Sequence, residues 1–175
     1  VDARQDEQAD VRTAATNISA LLAQQGRTAL ESTDLALRAI ADWLEREDLP
    51  QDDAEFRTFI RSLNERLETV RALFVIGADG YISHDTDYPD TPRVSLADRQ
   101  YFSVLRDDPD RDFYVGRPIL SRSVSRWFVP VARRLESTDG QFAGVAVAAL
   151  EPNFIELLRL YPDRAVLLDD PRVRL

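Results

Sequence analysis

The chain has no cysteine, no methionine and no lysine among its 175 residues. Without cysteine there is no disulfide frame, no thiolate metal knuckle and no thiol nucleophile. The lack of methionine leads us to expect a piece of a longer protein. All 22 basic residues are arginine, which reads as codon bias rather than chemistry. No apolar run approaches the roughly 18 residues needed to span a bilayer. There is no signal-peptide pattern either. Both elements are expected, if anywhere, outside the stretch in hand. A net charge of −9 lacks the basic footprint of nucleic-acid binding.

What is present describes a folded domain. Hydrophobic residues make up 44% and charged residues 30%, ordinary for a globular chain. After ten polar residues that are expected to fray, a helical pattern runs from Val11 to Pro50. Val11, Ala15, Ile18, Leu22, Ala29 and Trp43 fall near a 3.5-residue spacing. The heavier second half suits a domain core and the small-residue first half a partner helix; the alternative is one long core helix. Asp52 to Glu55 has capping-box spacing, and Phe56, Ile60, Leu63, Leu67 and Val70 predict a second helix over about 53–70.

Strand signals follow. Leu73–Ile76 and Tyr81–Ser83 flank Asp79-Gly80, a hairpin turn pair. Ser95 is expected to cap a helix that holds Arg99 and ends near Leu105. Phe113 to Leu120 reads as a strand bent at Gly116-Arg117-Pro118. Trp127–Leu135 and Phe142–Leu150 flank a second Asp-Gly turn at Asp139-Gly140. The last of these strands is apolar at every position, so it is expected to be covered on both faces. Pro152 opens a helix pattern and Ala165–Leu168 a last strand. The order predicts an α+β fold. An antiparallel sheet of about five strands has helices on one face, and loops with a short helix on the other, in a PAS-like arrangement.

One region concentrates positive charge. Residues 91–134 hold nine arginines and five aspartates, a local balance of +4. An arginine followed closely by two aromatics, Arg99, Tyr101 and Phe102, stands close in sequence to Ser121, Arg122, Ser123, Arg126 and Trp127. A guanidinium matches a carboxylate with two parallel hydrogen bonds, so a small anion is the expected ligand. Arg133 and Arg134 are expected in solvent. His84 stands beside Asp85, but neighbours on a strand point to opposite faces and no nucleophile accompanies them. His84 therefore reads as a surface or pocket-rim residue, and no catalytic role is expected. The acidic run at 107–112 lacks calcium-loop spacing. No metal or cofactor is expected.

The ordered set of the long helix, Leu73–Ile82, Asp98–Phe102, Val115–Leu135 and Asp139–Ile155 resembles a Cache domain. These are the PAS-like extracytoplasmic sensors of bacterial transmembrane receptors. The resemblance covers about residues 10–160 and is greatest to sensors of histidine kinases and diguanylate cyclases. It implies a periplasmic location and membrane attachment through helices outside this stretch. It also implies a long dimerising helix over 1–50 and a ligand-binding module over 51–160. Residues 161–175 resemble the start of a truncated or degenerate second module. Arg99, Tyr101 and Phe102 match the family's carboxylate-binding helix. Ser121, Arg122, Arg126 and Trp127 come from the facing loop and strand. Amino-acid sensors of this family carry an aspartate late in the domain for the ligand amine. The last strand has none, so an α-amino acid is expected to be disfavoured. The alternative is a ligand-free dimerisation or partner-sensing stalk.

Overall fold

A computed structural model describes residues 2–46 and 54–153. The first helix, α1 (Asp2–Arg46), spans 45 residues without a break, roughly 68 Å at the usual rise per residue. The helix thus starts at Asp2, ahead of Val11, where the helical pattern was expected to begin. Every described residue from Arg4 to Ile18 is exposed. From Leu30 the helix docks, and Leu37 and Ile40 are fully buried.

The second helix, α2 (Ala54–Glu65), is shorter than the apolar stripe suggested. The chain turns at 66–69, and Asn64 Nδ2 donates to the carbonyl of Arg71 across that turn (3.4 Å). Leu67 still packs on the core, and Val70 already belongs to a strand. The proposed capping box includes Asp52 and Asp53, which lie outside the described residues. So do the helix after Asn153, the strand at 165–168 and the second module at 161–175.

Strands β1 (Val70–Gly77), β2 (Ile82–Asp85), β3 (Phe113–Val115), β5 (Trp127–Glu136) and β6 (Phe142–Leu150) form one antiparallel sheet in the order β2-β1-β6-β5-β3. A two-residue strand, β4 (Ile119–Leu120), pairs separately with the start of β5. The expected single bent strand is therefore two short ones, both laid against β5. Gly80, at φ +82°, makes the first hairpin turn.

Central β6 is covered on both faces, as its composition requires. On one face Ala146, Ala148 and Leu150 meet α1 and α2 through Leu37, Ile40, Phe56 and Ile60. On the other, Val145, Val147 and Ala149 meet the helix α3 (Gln100–Asp107) through Tyr101, Phe102 and Leu105. Gly144 sits where β6 crosses closest to β1. A Cβ there would lie 2.1 Å from the Ile76 carbonyl oxygen.

Two arginines expected in solvent are buried in this frame. Arg133 bonds Asp34 of α1 (2.6 Å) and Asp112 (2.8 Å), tying α1 to the sheet. Arg134 donates to the carbonyls of Leu105 and Arg106 at the end of α3, where helix carbonyls lack intrahelical partners. Consecutive strand residues face opposite sides, so one arginine serves each layer. The sequence pattern alone could not reveal these partners.

Candidate functional site

The helix α3 begins with Arg99 as its N-cap residue, in extended backbone and without a side-chain capping bond. Ser95, the expected cap, instead forms a bridge to Tyr81. The chain before α3 is thereby pinned to the hairpin turn, with Leu96 N bonded to Gly80 O (2.8 Å). This crossing leaves a small, partly open cavity between the sheet, α3 and residues 121–123. Its volume is about 10 Å³, the space of one water.

The cavity's apolar walls are Phe74, Ile82, Leu96 and Phe128. Tyr101 closes one side at 2% exposure, and burial pushes its phenol well above the usual range. At the polar end stand Arg71, Asp85 and Asp87. Arg71 pairs with Asp87. Asp85 accepts the Asp87 N–H (2.9 Å), and burial raises its carboxyl to about 6.

Ser121, Arg122 and Ser123 form the cover. Arg122 grips Asp98 with both amino groups, each at 2.6 Å, and donates to Ser95 O at 3.0 Å. The guanidinium holds the Asp98 carboxyl down at about 2. Tyr88 Oη donates to Ser123 O at 2.6 Å. The loop returns through a bond from Ser121 N to Arg126 O, with Ser125 in left-handed backbone at φ +47°. The cover is thus held shut by one bidentate ion pair and one phenol.

Tyr101 and Arg122 also border a wider groove of about 320 Å³, rimmed by Arg99, Arg117 and Ile119. Arg99 donates from Nη2 to Leu120 O (2.9 Å), and its buried Nε has no partner. Of the residues singled out in the sequence, Tyr101, Ser121, Arg122 and Ser123 line the cavity, and Arg99 joins Tyr101 and Arg122 at the groove. Phe102 instead lies in the α3 core, edge-on to Phe142 at 5.5 Å. Arg126 points outward to Glu151, and Trp127 is 59% exposed. His84 is not on the rim. It is 1% exposed and lies edge-on to Phe56 at 4.8 Å in the opposite layer. Sequence reasoning missed Arg71 and Asp87, whose placement depends on strand register.

No protein-family model and no curated protein matches the chain. Solved structures do. The extracellular domain named for the histidine kinase rpHK1S-Z16 is 29% identical with a TM-score of 0.76. This chain is covered over 87% of its length and spans 62% of that domain. The chain has the fold of Cache-type extracytoplasmic sensor domains. The ligand-binding domain of the Pseudomonas aeruginosa PAO1 amino acid chemoreceptor PctC, in complex with GABA, shares the Cache fold at 17% identity. Its TM-score is 0.67, over 85% of this chain and 68% of that one. The Pseudomonas fluorescens chemoreceptor CtaA domain, in complex with L-isoleucine, does so at 16% identity. Its TM-score is 0.62, over 89% of this chain and 63% of that one.

These complexes correct one expectation. An α-amino acid cannot be called disfavoured for lack of an aspartate on the last strand, because Cache domains of this fold hold amino acids. The expectation looked for a carboxylate only on β6. In this chain the cavity's carboxylates are Asp85, at the end of edge strand β2, and Asp87 just after it.

Proposed function

We propose that this domain senses a small polar metabolite on behalf of a bacterial transmembrane receptor whose output is a histidine kinase or a diguanylate cyclase. The observation that carries the reading is the arginine-latched cover over a cavity between the sheet and α3. Arg122 and Arg99 are the guanidinium groups available to a ligand carboxylate, with the Tyr101 ring as a wall. An incoming anion competes with Asp98 for Arg122. The cover then re-closes on the ligand, and its differential affinity for that state sets the signal. Residues 1–50 act as the dimerising and relaying helix, residues 51–160 as the sensing module, and 161–175 as the start of a second module. The domain itself has no catalytic task.

A second reading has one observation in its favour. The closed cavity holds only a water-sized group, which suits a stalk that dimerises or meets a partner protein without a ligand. A thermal-shift panel of small carboxylates and amino acids separates the two. A ligand at 100 times its dissociation constant adds about 2.7 kcal/mol of stability. Sensing predicts a shift in the wild type that Arg99→Ala and Arg122→Ala lose. A flat panel across all three proteins favours the stalk.

A further inference from the structure

Two β-bulges meet at the cavity's polar end. The pairing of β1 with β6 slips between Val70 and Ala72, leaving Arg71 as the extra residue. The pairing of β1 with β2 slips between Val75 and Ile76, so His84 is matched to Val75 and Ile82 to Ile76, with Ser83 between. A bulge re-aims the side chains beyond it. Here Ile82 and Asp85, three residues apart, both line the cavity, while His84 turns to Phe56 in the other layer. With strict alternation, a strand that put Ile82 beside α3 would bury Asp85 in the apolar core under α1 and α2. The two irregularities thus deliver one guanidinium and one carboxylate to the same small space.

The charges there do not balance. Arg71, whose side chain is 9% exposed, is matched by Asp87. Arg122 is taken by Asp98. Asp85, at 5% exposure, forms no ion pair among the described residues, and Arg71, whose charge reaches it, is already bonded to Asp87. A buried carboxylate without a counter-charge is costly. Independently, Arg71 keeps a buried Nε–H with no acceptor, in the lining of the same cavity.

We propose that Asp85 is the seat of a ligand ammonium group, with Arg71 Nε–H beside it for a ligand oxygen. This rests on the sensing reading of the cavity. An ammonium head is about the size of the water-sized space. The body of the ligand then lies past Tyr101 and Arg122 toward the arginine-rimmed groove, which suits an anionic far end. The ligand class is a small amine, and best a dipolar one. Asp87 and Arg71 face Asp85 from the sheet side, Tyr101 from α3 and Arg122 from the cover. Burial holds the empty-state carboxyl near 6, so a bound ammonium draws a proton off it in mildly acidic solution.

The test uses GABA, L-alanine and propylamine against butyrate and propionate, by calorimetry and thermal shift, on wild type and Asp85→Asn. The expected result is binding of the amines at pH 7.5, about tenfold weaker at pH 5, and lost in Asp85→Asn. That variant keeps one hydrogen-bond acceptor for Asp87 N–H, and a melting midpoint no lower than wild type at pH 7.5 verifies its fold. Butyrate or propionate binding as well as the amines, or amine binding that survives Asp85→Asn, overturns this seat and leaves the sensing reading standing. Silence from these probes and from the whole carboxylate and amino-acid panel removes both.

Discussion

Asp85 and Asp98 show how burial decides what a carboxylate does. Asp98 is exposed beside Arg122 and held down at about 2, whereas Asp85 is buried and raised to about 6. A raised carboxyl binds its proton more tightly folded than unfolded. Below about pH 3.8 both states are protonated and Asp85 costs nothing extra. As pH rises through 6 the folded state must carry a buried charge, and stability falls by about 3 kcal/mol. Asp85→Asn is therefore expected to stabilise the unliganded domain by up to that amount above pH 7, and not below pH 4. Urea denaturation of both proteins from pH 4 to 8 checks this, and parallel curves across that range would contradict it. At Gly144 the constraint is steric. With φ at +139° and the Ile76 oxygen in the way of a Cβ, Gly144→Ala is expected to cost about 3 kcal/mol. The same denaturation experiment reads that loss.

At the scale of elements, some of the fold was legible because local pattern and tertiary role agree. β6 is apolar at every position and is covered on both faces. Asp79-Gly80 and Asp139-Gly140 make the turns that their glycines permit, at φ +82° and +79°. Arg99, Tyr101 and Arg122 were legible as neighbours, an arginine beside aromatics having singled them out, and they border one groove. The polar end of the cavity was not. Arg71 and Asp85 arrive there through slips in strand pairing, and a slip is a property of two strands rather than of either. Ser95 misled for a related reason. Its residue type suits a cap, but the bridge to Tyr81 holds it away from the helix start. Arg133 and Arg134 were misplaced because their partners lie on other elements. Truncating Arg133 leaves Asp34, with a side chain only 17% exposed, to the exposed Arg38 as its remaining partner. Arg133→Ala is expected to cost about 2 kcal/mol, less than a buried charge left wholly unpaired, and to loosen α1 on β5. Hydrogen exchange along residues 30–44 should report the loosening, while unchanged protection there would show that apolar packing alone holds the helix.

At the scale of the whole molecule, α1 outruns the domain that holds it. Its second half docks through Leu37, Ile40 and Leu44, while Val11, Ile18, Leu21 and Leu35 remain 64%, 56%, 57% and 67% exposed. Val11, Ala14, Ile18 and Leu21 follow one another at alternating spacings of three and four, and Gln25, Thr28, Ser32 and Leu35 continue the series. That spacing is the seam of a left-handed pair of helices. In a parallel two-fold pair each seam residue meets its own copy; Asp10 and Glu31 flank the two ends of the seam, and between them the flanking positions Ala15, Asn17, Leu22, Gln24 and Ala29 carry no charge. Self-pairing therefore meets no like-charge repulsion over this span, although the chain as a whole is acidic. The polar middle of the seam makes the pair weak, as suits the relaying role proposed for this helix. Sedimentation should show a concentration-dependent dimer that Ile18→Glu with Leu21→Glu shifts to monomer. The melting midpoint at low concentration should stay the same, since neither residue touches the core. A wild type that remains monomeric at millimolar concentration, with and without a bound amine or carboxylate, would leave α1 to relay the signal without self-pairing.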